Sequence, residues 1–222
     1  DKLVTGVQTC ALPILVVLQA GDGNSVLAGS GNPIILREFN TSGIPTYSLP
    51  IPSTGTNALV IRGSATSEGY ISKSSDGKQI VFGGYLQSLP NTSTASLNGT
   101  TPSNVNRGIG LADASGSYVL GAWSSVSSLA AGDIRGATAS KSTNLWATSS
   151  SQGLTYYGNS SIASNVENGK TNLRAAHIFS NQLYISSQVS TGTPANPGIF
   201  SVGTNTPNSS GQTVNSVINT GT

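Results

Sequence analysis

The sequence predicts an all-β protein assembled from repeated four-stranded antiparallel units, and three observations predict it. Charged residues make up only 8% of the 222 residues, against roughly 25% in an average soluble domain. Gly, Ser, Thr and Asn fill the vacated positions, which suits short strands and turns and leaves helix surfaces without their usual Lys, Glu, Arg and Gln. From Leu15 onward, apolar residues fall in short runs bounded by turn residues, the signature of strands. The C-terminal part of the chain then repeats its own pattern. With 36% hydrophobic residues and a net charge of +2, the chain lacks the low hydrophobicity and high charge of a disordered segment.

The first residues stand apart. Val4 to Ile14, VTGVQTCALPI, match residue for residue an in-frame translation of a common short-read sequencing adapter. Residues 1–14 are therefore expected to be non-native, with Leu15 opening the genuine protein and its first strand. On this reading the apolar run ALPILVVLQA is not the core of a signal peptide. Cys10, the single cysteine, then carries no disulfide, nucleophile or metal role.

The strands follow in order. Residues 33–40 and 44–52 flank Thr41-Ser42-Gly43 as a hairpin. Residues 59–62 form a short apolar run. Residues 69–75 and 78–85 flank Asp76-Gly77, a strong hairpin signal. Residues 90–105 are a long polar loop, after which 107–113 and 118–124 pair across Ala114 to Ser117. Asp133 to Gly158 and Asn172 to Gly203 then share one frame: Ile134-Arg135-Gly136-Ala137 matches Leu173-Arg174-Ala175-Ala176, and Leu145-Trp146 matches Leu183-Tyr184. Segment 66–85 fits more loosely, with Ser67-Glu68-Gly69 in the arginine position.

Repeats of roughly 30–50 residues indicate propellers or solenoids. Three units are expected, with strands near 69–75, 78–85, 107–113 and 118–124, near 134–140, 144–149, 153–158 and 161–166, and near 173–180, 183–188, 198–202 and 213–218. The hairpin at 33–52 supplies two outer strands of a further unit. Residues 15–222 thus read as an incomplete β-propeller domain of about three and a half blades. A parallel β-solenoid is the rival, but its coils contain no hairpins.

The segment SATSEGYISKSSDGKQIVFGGY, Ser64 to Tyr85, preceded by VVLQAGDGNSVL, Val16 to Leu27, resembles a group of secreted bacterial β-propeller proteins of unknown function. The resemblance covers most of residues 16–215. It implies the propeller fold and an extracellular or cell-surface location, and it brings no known active site.

Little in the sequence carries chemistry. The ten Lys and Arg residues are never sequence neighbours, so the clustered basic face of a nucleic-acid binder is missing. No apolar run approaches the ~18–20 residues of a membrane-spanning helix. His177, the single histidine, lies in an apolar stretch without a visible nucleophile or orienting partner and reads as a strand residue beside the core. Asp22-Gly23-Asn24 begins like a calcium loop but lacks the later oxygen ligands, so it reads as a turn. The carboxylates Glu68, Asp76, Asp113, Asp133 and Glu167 are scattered and form no assignable acid pair. Neither a metal nor a cofactor is expected. Sequons begin at Asn40, Asn91, Asn98, Asn159 and Asn208, compatible with secretion. Trp146 and Tyr184 are expected to pack between units, and one of Tyr156 and Tyr157 to be the more exposed.

Charge falls in register at one place only. Glu68, Arg135 and Arg174 stand at the start of the first strand of three successive units. Ring symmetry would bring them together at the mouth of a central channel, as a site for a ligand such as a glycan or a surface protein. In the plainer alternative, Glu68 pairs with a nearby arginine to tie unit to unit. The leading functional expectation is a non-enzymatic extracellular binding module. A propeller lyase or hydrolase acting on an extracellular polymer, and an adhesive segment of a larger surface protein, are the alternatives.

Overall fold

The computed structural model describes residues 14–101, 104–124, 132–158, 164–167, 169–189 and 197–219. The adapter-like stretch through Pro13, with Cys10, lies outside the described residues, as does the sequon at Asn159, while Ile14 is exposed. Every named element is a strand, and no helix among the described residues is long and apolar enough to cross a membrane.

The first strands are β1 (Leu15–Ala20), β2 (Asn32–Phe39) and β3 (Pro45–Pro50), with β2 paired antiparallel to both neighbours. After β4 (Val60–Ile61) come β5 (Ser72–Lys73), β6 (Gln79–Tyr85), β7 (Arg107–Asp113) and β8 (Tyr118–Ser124), an antiparallel meander in chain order. The next meander is β9 (Ile134–Lys141), β10 (Asn144–Ser149), β11 (Leu154–Tyr156) and β12 (Ser164–Glu167). The last is β13 (Leu173–Phe179), β14 (Gln182–Ser187), β15 (Gly198–Val202) and β16 (Val214–Asn219). All ladders between these strands are antiparallel, unlike the single parallel ladder of a solenoid coil.

The strand positions agree closely with the sequence pattern, but the first half of the chain pairs differently. β1 joins the 33–52 hairpin, so three strands stand where two were expected. β4 then links this group to the next, because Asn32 and Pro33 pair with Ile61 and Val60, and Val60 pairs with Tyr85. β4 and β5 share one edge of β6, and the first eight strands become one continuous sheet. The expected strand at 69–75 shrinks to two residues because its hydrogen bonds are divided. Tyr70 and Ser75 donate backbone N–H groups to the carbonyls of Arg135 and Ala139, at 3.1 and 2.8 Å. Ser74 donates to Gln79 across the turn at 2.8 Å. Residues 70–75 therefore run alongside β9, with a parallel bridge between Tyr70 and Gly136.

Three apolar cores separate consecutive strand groups. Ile34 and Leu36 of β2 meet Phe82 of β6 and Ala112 of β7 in the first. Val81, Ile109 and Leu111 meet Ile134, Ala137 and Leu145 in the second. Trp146, Leu154 and Val166 meet Ile178, Ile185 and Phe200 in the third. Adjacent residues feed opposite cores, as Val81 and Phe82 or Leu145 and Trp146 do, because neighbouring strand residues point to opposite faces. Sheets covered on both faces have few positions for charge, which accounts for the sparse Lys, Arg, Asp and Glu. Trp146 packs between groups as expected and donates Nε1–H to the Pro207 carbonyl at 2.8 Å, whereas Tyr184 is half-buried outside the core. Tyr157 is buried and Tyr156 more exposed.

The 90–105 segment is polar but anchored. Leu97 and Val105 are buried, Leu97 N–H donates to the Gly29 carbonyl at 2.9 Å, and the Arg107 guanidinium donates to the carbonyls of Thr100, Val105 and Gly132.

Candidate functional site

Residues 66–70 precede β5 and lie beside the start of β9, which in turn lies beside the start of β13. The side-by-side placement follows from two contacts: the Tyr70 backbone N–H donates to the Arg135 carbonyl, and Thr148 Oγ1 lies between the carbonyls of Gly136 and Arg174, at 3.2 and 2.9 Å, with its single proton directed to the nearer, Arg174. The three positions in sequence register therefore share one end of the strands. Their side chains have different fates.

Glu68 is enclosed, with its side chain 1% exposed. Its Oε1 lies 3.2 Å from Arg62 Nε, although that N–H is not aimed at it, and its Oε2 accepts the Arg62 backbone N–H at 3.2 Å. Tyr85 Oη donates to Oε1 at 3.0 Å. Arg62 Nη2 also donates to Asp133 Oδ2 at 3.2 Å, beside the start of β9. Glu68 is thus part of a buried tie between neighbouring strand groups, with Arg62 as the joint. Burial raises the Glu68 carboxyl to about 7, despite the lowering effect of Arg62. The Arg107 guanidinium stacks over the Tyr85 ring at 4.8 Å and closes the network.

Arg135 reaches forward into the last meander, where Nη1 donates to the Asn172 side chain and to the Leu173 carbonyl. Burial lowers its pKa, and the nearby Arg174 lowers it further. The Arg174 guanidinium is thus close enough to act on that of Arg135. Arg174 is half-buried, donates to the Gln188 side chain, and lines an open cleft of about 490 Å³ with Thr66, Tyr70, Ser186 and Gln188. Tyr70 is 38% exposed, so an aromatic face, a guanidinium, an amide and two hydroxyls border one space.

The sequence reading missed Arg62, Asp133 and Tyr85 as a unit, and it missed Tyr70 as the aromatic wall of the cleft. Arg62 and Asp133 are 71 residues apart, and no local spacing joins them. Asp133 alone had a signal, two residues before Arg135 at the start of a repeat. His177 departs from its expected place: between buried Ala176 and Ile178 it is exposed, because strand alternation turns it away from the core. Asp22 Oδ1 accepts the N–H groups of Asn24 and Ser25 at 2.9 and 3.3 Å, the geometry of a turn. Among the described residues, no three His, Cys, Asp or Glu side chains gather as metal ligands.

No protein-family model matches the chain, and no curated protein matches it.

Proposed function

We propose that the strand groups are blades of an extracellular β-propeller and that the chain is a non-enzymatic binding module for glycans. The propeller reading is supported by the three cores lying between consecutive groups and by the first strands running side by side. The secreted location rests on the resemblance of Ser64 to Tyr85 to secreted propeller proteins. The cleft around Arg174 carries the binding reading. An exposed aromatic ring such as Tyr70 offers a platform for a sugar face, and Arg174, Gln188, Ser186 and Thr66 offer hydrogen-bonding groups for hydroxyls. With Arg135 close behind Arg174, the cleft favours sugars that carry carboxylate or sulfate groups. Glu68 acts from beneath, by holding the 66–70 segment in place through Arg62.

A glycan array probed with the whole chain tests this reading. Acid-bearing oligosaccharides should be retained, and Arg174→Ala and Tyr70→Ala should each reduce retention about tenfold while the circular dichroism spectrum is unchanged. Retention of no glycan, or retention untouched by both substitutions, would reject it.

A further inference from the structure

The stack of strand groups has a direction. Each inner group turns one face back to the group before it and the other forward to the group after it. In the third group the forward face includes Thr138, Trp146 and Tyr156, cross-strand partners in one row. Directly paired residues of an antiparallel sheet present their side chains on one face. The last group covers that row: Thr138 is buried, and Trp146 is 1% exposed in the core it shares with Ile178, Ile185 and Phe200.

The repeat brings His177, Tyr184 and Ser201 to the same three positions in the last group, paired in the same way. Here the row lies open, with His177 exposed and Tyr184 and Ser201 half-buried. Alternation along β13 and β15 adds Phe179 and Ile199 to this face, and Ile218 stands opposite Ile199. Phe179 is 68% exposed and Ile218 51%. None of Phe179, Tyr184, Ile199 and Ile218 belongs to an apolar core among the described residues.

The first group has the opposite deficit. Val16, Leu18, Ile34 and Leu36 point forward into the core shared with β6 and β7. The alternate residues Leu15, Val17, Ile35 and Phe39 therefore point backward, where no described strand group stands. Leu15, 61% exposed, lies opposite Phe39, and Val17 lies opposite Arg37, the charged residue of this patch. None of these four apolar residues belongs to a core either. Exposed apolar patches of this kind mark association surfaces. One molecule thus has an unfilled forward face at one end of its stack and an unfilled backward face at the other. Every core inside the molecule is a forward face meeting a backward one, so the partner that matches the last group is the first group of a second copy.

We infer that copies of this chain associate head to tail, the outer face of β13–β16 in one copy seated on the outer face of β1–β3 in the next. Such a contact is heterologous, because it joins two different surfaces. It continues between molecules the stacking that holds the strand groups together within one. None of the residues named for it lines the glycan cleft, so it holds whether or not glycans bind.

Sedimentation velocity of the whole chain over a concentration series tests the inference. The mean mass should rise with concentration to that of two chains or more. Ile218→Glu on the last group and Val17→Glu on the first should each weaken association about tenfold or more. An equimolar mixture of the two variants should regain it and stop at two chains, because each variant supplies the face that the other lacks. Both substitutions lie at exposed strand positions, and circular dichroism should be unchanged. Should either variant fail to fold, Phe179→Glu or Leu15→Glu takes its place on the same face. Arg174→Ala should associate like the unaltered chain, which separates this surface from the glycan cleft. A single-chain mass at every concentration, association kept by either folded variant, or a mixture that stays monomeric would each overturn the inference.

Discussion

Tyr85 Oη sits between two carboxyl groups from neighbouring strand groups, 3.0 Å from Glu68 Oε1 and 3.4 Å from Asp133 Oδ1. The phenol has one proton to donate, and the shorter distance assigns it to Glu68. Arg62 faces the same two carboxyl groups with one positive charge. One cation and one hydroxyl thus serve two buried acids, so one acid is easier to protonate than it would be in water. Burial of Tyr85 and the adjacent carboxylates in turn raise the phenol above its ordinary value.

A pH dependence follows from Glu68. Its folded-state pKa of about 7 exceeds the ordinary value of 4.5, so the folded state holds this proton more tightly than the unfolded state. Above pH 4.5 the unfolded chain releases it first, and stability falls as pH rises through that window, levelling above pH 7. The loss should be of order 2–3 kcal/mol. Urea titrations at successive pH values should show this decline, and Glu68→Gln should remove most of it.

Arg62→Ala leaves Glu68 and Asp133 buried without their shared counter-ion. Breaking a buried pair from one side typically costs about 3–5 kcal/mol, and the loss should be largest above pH 7, where Glu68 is ionised. Arg62→Ala/Glu68→Gln should recover part of it. A double-mutant cycle by chemical denaturation checks both statements.

Gly136 marks the closest approach of the first strands. A Cβ at this position would lie 2.9 Å from the Arg174 carbonyl oxygen and 3.1 Å from Tyr70 Cβ. The carbonyl belongs to the backbone and cannot rotate aside. Gly136→Ala should therefore cost about 1–3 kcal/mol, even though alanine is the better residue for a strand interior. It should also weaken glycan retention, because it parts the two walls of the cleft, Tyr70 and Arg174.

The β13–β14 hairpin turns on Ser180 and Asn181, with φ of 46° and 62°. Two successive positive φ values are the mark of a type I′ turn, which favours asparagine at its first central position. Serine is costlier than asparagine in this conformation. Ser180→Asn should raise stability by a few tenths to about 1 kcal/mol, read as a higher midpoint in urea with an unchanged slope.

Strand identity was legible wherever a run and its turn were local. Asp76-Gly77 located β5 and β6, and the shared Arg-Gly/Ala-Ala and Leu-Trp/Tyr frames located β9, β10, β13 and β14, because pleat alternation and turn conformation depend on near neighbours. The candidate site was legible only as positions. The repeat register named residue 68, Arg135 and Arg174; in the structure the 66–70 segment meets the start of β9 through the Tyr70–Arg135 backbone hydrogen bond, while Glu68 itself turns to Arg62.

Composition and local pattern alone determined that this protein is all-β and built from short antiparallel strands. Tertiary structure alone decided that β4 fuses the first two groups and that Glu68 is drawn inward by Arg62 while Arg174 stays at the surface. These outcomes depend on which partner satisfies a buried hydrogen bond or charge. Arg62 reaches Asp133 across 71 residues, and Tyr70 gives its N–H to β9 instead of β6. Such choices are settled by desolvation and close packing between distant segments, and neighbouring residues in the chain carry no record of them.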